Sequence, residues 1–96
     1  MVLMTPHEYA TYTRALSKWG AEPQTRMVYE EMAELQKELC KHSRGADNRA
    51  AIAEEIADVL IMLEQMMVLH DCESLVDGFK KCKLFRLEEL IEREDK

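Results

Sequence analysis

Between Tyr29 and Gln65 the chain writes nearly the same phrase twice, EEMAEL at Glu30–Leu35 and EEIADV at Glu54–Val59, around one glycine-broken interval. Each copy lies in a run whose apolar residues recur at helical spacing, Val28, Met32, Leu35 and Leu39 before Gly45, and Ile52, Ile56, Val59, Leu63, Met66 and His70 after it. Two such helices joined by a turn of a few residues run antiparallel, so the phrase predicts a central antiparallel helical hairpin.

The flanks supply two more helices. Thr5-Pro6-His7-Glu8 has capping-box spacing with Pro at the first helical position, Met4 is placed to staple to Tyr9, and the run stops near Trp19-Gly20. Pro23 marks the start of the second helix, Arg44-Gly45 its end, and Asp47 an N-cap for the third. His70-Asp71-Cys72-Glu73 breaks the pattern before a fourth helix over Glu73–Glu94 that carries Val76, Phe79, Leu87 and Leu90, with Gly78 its weak point. The chain has 96 residues, 47% of them apolar, which suits one small domain over 1–96 with modest burial per residue. The expected fold is an all-α, four-helix chain with the hairpin at its centre, assembling into a helical-bundle oligomer, a homodimer or homotetramer. The Met-rich third helix, with Met62, Met66 and Met67, is expected to form the intersubunit core.

A net charge of −6, spread along the chain, disfavours a nucleic-acid polymer or an anionic membrane as partner. Cys40, Cys72 and Cys82 form no C-x-x-C pair and read as buried or half-buried thiols in a reducing compartment. The amino-terminal MVLMTPHEY has no basic region followed by an apolar run, so a cytoplasmic location is expected.

The acidic residues carry the chemistry. At about 100° per residue, Glu31 and Glu34 lie about 60° and 120° round from the stripe of the second helix, and Glu55 and Asp58 occupy the same two offsets on the third. Antiparallel packing brings these like flanks together, and both Glu34 with Glu55 and Glu31 with Asp58 lie equally far from the turn. Two charges about 5 Å apart at an effective dielectric near 20 repel by roughly 3 kcal/mol, so such a grouping calls for a divalent cation. Oxygen-only ligands favour Mg²⁺, with Mn²⁺ as a substitute, over zinc. Glu30 and Glu54 point away from the stripes, and Glu38 has no acidic counterpart across the turn; Glu38 and Glu54 read as solvated.

At these residues the chain resembles the MazG-like all-α nucleoside triphosphate pyrophosphohydrolases, whose signature is E-E-x-x-E followed by E-x-x-D. Here the signature stands as Glu30, Glu31, Glu34 and then Glu55, Asp58, and the likeness extends to KWGAEPQ and KKCKLFRLEELI. The resemblance implies a helical oligomer that uses Mg²⁺ to hydrolyse a nucleoside triphosphate to the monophosphate and pyrophosphate. Carried over by position, Glu31, Glu34, Glu55 and Asp58 are metal ligands, and Glu30 helps to orient or deprotonate the attacking water, making Glu30 and Glu31 the catalytic pair.

Candidate substrate contacts lie outside the signature. Lys83 sits within the apolar arc of the fourth helix with Arg86 at its edge, placed either to snorkel to solvent or to reach phosphates, and Lys80 is a weaker candidate for the same duty. Trp19, the sole tryptophan, either plugs a core or stacks on a nucleobase, beside Gln24 as a reader of the base edge. His7 and His42 read as surface residues, with no spacing for zinc. Two rivals stand against the enzyme: a non-catalytic helical assembly module of the same fold, and a ferritin-like di-metal bundle, for which the Glu-x-x-His motifs are missing.

Overall fold

Thr5 opens the first helix with a reciprocal pair of bonds. Its hydroxyl accepts from the Glu8 amide at 3.1 Å, and its own amide donates to Glu8 Oε1 at 2.7 Å. In the computed structural model, which describes residues 4–95, four helices follow: α1 (Pro6–Trp19), α2 (Ala21–Ser43), α3 (Arg49–Leu69) and α4 (Glu73–Glu94). The described residues contain no strand. Residues 1–3, part of the amino-terminal stretch read above for a leader, and residue 96 lie outside.

Glycine sets the breaks where the backbone needs left-handed φ. Gly20 (φ 94°) separates α1 from α2, and Gly45 (φ 99°) follows the end of α2. Asp71, at φ 48°, turns the chain from α3 into α4. Two expected boundaries move. α2 begins at Ala21 rather than Pro23, because a Pro anywhere in the first turn lacks only an amide that the helix leaves unbonded. α3 is preceded by Asn48 rather than Asp47, and no side chain caps it, since the Asn48 amide is engaged elsewhere: its Nδ2 donates to the Glu38 carbonyl and to Glu38 Oε1, each at 2.9 Å.

Among the described residues α2 and α3 share the largest helix–helix contact, α1 lies against both, and α3 is the one helix that packs on α4. Among the described residues the core is thin, consisting of Met4, Tyr12, Val28, Val59 and Met62, and no large side chain is completely enclosed. The Tyr12 hydroxyl donates to Glu64, which ties α1 to α3, and desolvation together with that carboxylate pushes the phenol far up. Met4 is buried as a staple residue should be, while Tyr9 is exposed, and the Met4 amide donates to Glu73 Oε2 at 3.0 Å.

The buried face of α3 differs from the expected stripe. Val59, Met62 and Gln65 are buried, whereas Ile56, Leu60, Ile61 and Leu63 are exposed, and His70 ends the helix exposed. α3 is apolar nearly all round, so its periodicity alone offers more than one face. Met62 belongs to the chain's own core and Met66 and Met67 are half-buried, so this Met cluster is not the uncovered surface. Cys40 and Cys82 are exposed rather than buried, and Cys72 is half-buried. His7 and His42 are exposed. No helix among the described residues is long and apolar enough to cross a membrane.

Candidate functional site

The inward turn of α3 carries its acidic residues with it. Ile52, Glu55, Asp58 with its neighbour Val59, Met62 and Gln65 recur about once per turn, and each is buried or half-buried. On α2 the corresponding series is Gln24, Val28, Glu31, Leu35 and Glu38. Glu31, Glu55 and Asp58 each offer a carboxylate oxygen, and these oxygens lie within 4.8 Å of one another.

The electrostatics match the crowding. Desolvation raises the Glu31 carboxyl above its ordinary range, and the charges of Asp58, Glu55 and Glu34 push it the same way. Desolvation also raises Glu55, followed by the charges of Asp58, Glu34, Glu54 and Glu38. Glu55 Oε2 is shut off from solvent without a hydrogen-bond partner. Glu34 is exposed and stands outside the trio, although its charge is felt by both Glu31 and Glu55.

A small hard cation fits this donor set. An octahedral Mg²⁺ takes oxygens at 2.0–2.1 Å, so its opposite ligands lie about 4 Å apart, close to the spread of the three carboxylates. The orphaned oxygen of Glu55 and the mutual repulsion of the trio are both relieved by positive charge at that point.

Glu38 is not solvated as expected. It is half-buried, pairs with Lys41 Nζ at 3.1 Å and accepts from Asn48, and these two partners hold its carboxyl below the ordinary range. Its position clasps the connection between α2 and α3 a turn beyond the carboxylate trio. Glu54 is exposed.

A cleft of about 660 Å³ is lined by Trp19, Pro23, Gln24, Arg26, Met27, Glu30, Met62 and Gln65; Glu30 is the chain neighbour of Glu31, and Met62 lies one turn along α3 from Asp58. The structure therefore brings Trp19, Gln24 and Glu30 to one place. Lys80 and Lys83 lie along a separate shallow groove on α4 with Val76, Phe79, Leu84 and Leu87. Arg86 is exposed on the same helix, and α4 does not pack on α2, so the single chain does not gather these three cations around the carboxylates.

Gln65 was missed by the sequence reading. Its signal is a polar residue in the middle of an apolar helix, one turn beyond Met62 and two turns beyond Asp58. Comparison with protein-family models, curated proteins and solved structures gave no match.

Proposed function

We propose that this protein is a Mg²⁺-dependent nucleoside triphosphate pyrophosphohydrolase of the MazG-like kind, built on an antiparallel α2–α3 hairpin. The observation that carries the reading is the approach of Glu31, Glu55 and Asp58 from two helices, with Glu55 Oε2 left unpartnered inside the group. The hairpin is supported by the contact between α2 and α3, by Glu31 beside Asp58, and by the Asn48–Glu38 bonds next to the connection.

In this reading Glu31, Glu55 and Asp58 hold the cation, and Glu34 swings in from the rim to join them. When bound, Mg²⁺ supplies positive charge that offsets the phosphate oxygens and acidifies water, opening the bond between the α- and β-phosphoryl groups to attack. Glu30 lines the adjoining cleft, one residue from Glu31, where its carboxylate accepts a proton from the attacking water. Trp19 and Gln24 line the cleft in which the base is held, and Gln24 as a residue is 8% exposed.

The cations for the leaving pyrophosphate come from a second copy. Lys80, Lys83 and Arg86 lie on α4, whose apolar side chains Phe79, Leu84, Phe85, Leu87, Leu90 and Ile91 are all exposed in one chain. Pairing α4 with another copy covers that surface and carries the three cations with it.

Titration calorimetry with Mg²⁺ and a non-hydrolysable triphosphate, followed by product analysis, tests the reading. Binding of both, with pyrophosphate as first product, is expected. Orthophosphate as first product overturns the bond assignment, and binding of neither leaves the non-catalytic assembly module.

A further inference from the structure

We propose that the α2–α3 hairpin carries an interaction face on the flank away from its carboxylates, and that this face packs against the same face of a second copy of the chain. The inference rests on the antiparallel hairpin proposed above and is independent of the hydrolase chemistry.

Charge divides the two helices in the same way. At about 100° per residue, the charged residues of α2 between Gln24 and Cys40 all fall within an arc of about 140°, and Tyr29, Met32 and Leu39 cluster opposite that arc. On α3, between Ala50 and Leu63, Glu54, Glu55 and Asp58 span about 100°, and Ile56, Leu60 and Leu63 lie opposite them. These six apolar residues are all exposed, at 36–66%. Thr25 Oγ1 near the start of α2 lies 3.7 Å from Met66 Sδ near the end of α3, and Asn48 reaches Glu38 beside the connection. In that antiparallel arrangement like flanks are neighbours, so the two uncharged arcs form one two-helix surface.

Area and charge select the occupant. The chain exposes 7612 Å², about 1,900 Å² more than a compact monomer of its mass. One partner's ordinary share of a stable interface is about 800 Å², so covering α4 alone leaves a second such area bare. The groove on α4 holds Lys80 and Lys83 among its apolar residues. Seated on a surface without carboxylates, those ammonium groups would lose water and gain no counter-charge. The uncharged face matches itself better. Its stripe on α3 is bounded by Arg49 before Ile52 and by Glu64 after Leu63, which also accepts from Tyr12. Antiparallel pairing of two such stripes centred near Ile56 sets Arg49 of each copy beside Glu64 of the other, and Leu60 over the smaller Ala53.

Nuclear Overhauser contacts in a half isotope-labelled sample of the whole chain separate those within a copy from those between copies. Leu60 methyls of one copy are expected to meet Ala53 of the other, and Thr25 to meet Met66 within one copy. In sedimentation, Met32→Asp and Leu60→Asp should each raise the concentration at which copies separate by at least about tenfold, with helical circular dichroism intact. Glu54→Lys, on the charged arc, should leave that concentration unchanged. No contact between copies at these side chains overturns the proposal, as does contact only with Phe79 or Leu87 of the other copy, which makes α4 the occupant. Separation by Leu60→Asp but not by Met32→Asp also overturns it, since one helix then pairs without the other. A chain that keeps the Thr25–Met66 contact but shows none between copies fails this inference alone, whereas loss of the Thr25–Met66 contact fails the hairpin on which it rests.

Discussion

At the residue scale the carboxylate trio is a set of like charges that raise one another's carboxyls. Raised carboxyls stabilise the folded chain below their unfolded values and lose that contribution as pH climbs through the folded values. Glu31 and Glu55 are both raised, so in EDTA the melting temperature is expected to fall between about pH 4.5 and pH 7, starting from the ordinary carboxylate range. Glu38 is lowered, and its contribution disappears only as pH drops below that range, outside the same window. Mg²⁺ restores the loss at pH 7, and Glu31→Gln flattens the metal-free slope; thermal melts followed by circular dichroism read both. A metal-free melting temperature that rises across the window would contradict this account of the trio. For the proposed ligands, Glu55→Gln and Asp58→Asn are expected to weaken Mg²⁺ binding by at least about a hundredfold, since losing even an outer partner of a metal ligand costs tenfold to a hundredfold. Calorimetric titration checks it.

At the scale of elements, the connection between α2 and α3 depends on one side chain. Asn48→Ala removes both bonds to Glu38, one to the carbonyl and one to the carboxylate, and should cost about 1–3 kcal/mol in urea unfolding. Thr5→Ala, which breaks only an exposed cap, should cost about 1 kcal/mol. These two positions also mark how far the sequence could be read. The Thr5 cap and the span Glu73–Glu94 were legible because each boundary rests on local chemistry, a hydroxyl with a matching Glu in one case and a polar break in the other. Asn48 was not, because its amide binds ten residues back, a partner that only the folded chain supplies. The same limit applies to the site. Spacing identified Glu31, Glu55 and Asp58, which the fold brings together, but it placed them on a flank, whereas Glu55 and Asp58 share the packed face of α3 with Val59 and Met62, and Glu31 meets them from α2. Several apolar faces compete on α3, and only contact with α2 chooses among them. Gln65 went unread for the same reason, since its unpaired oxygen is a property of packing.

The whole molecule is too open for its length. Its radius of gyration is 16.4 Å, against about 12.5 Å for a compact domain of this size. It exposes 7612 Å² where a compact monomer of its mass exposes about 5,700 Å². The excess exceeds the roughly 800 Å² that each partner contributes to an ordinary stable interface. Sedimentation of the chain at micromolar concentration should therefore give a dimer or larger species, and Phe85→Asp on α4 should shift it toward monomer; a wild-type monomer would count against the proposed assembly. The side chains of α4 beyond its first turns are nearly all exposed, and α4 is held to the body by α3 and, at its first residue, by the Met4 amide. Isolated copies transferred to heavy water should consequently take up deuterium along the outer turns of α4 long before they do so at Val28 or Val59. Such a gradient along one polypeptide, fading as the protein is concentrated, would register the arrival of a neighbour amide by amide.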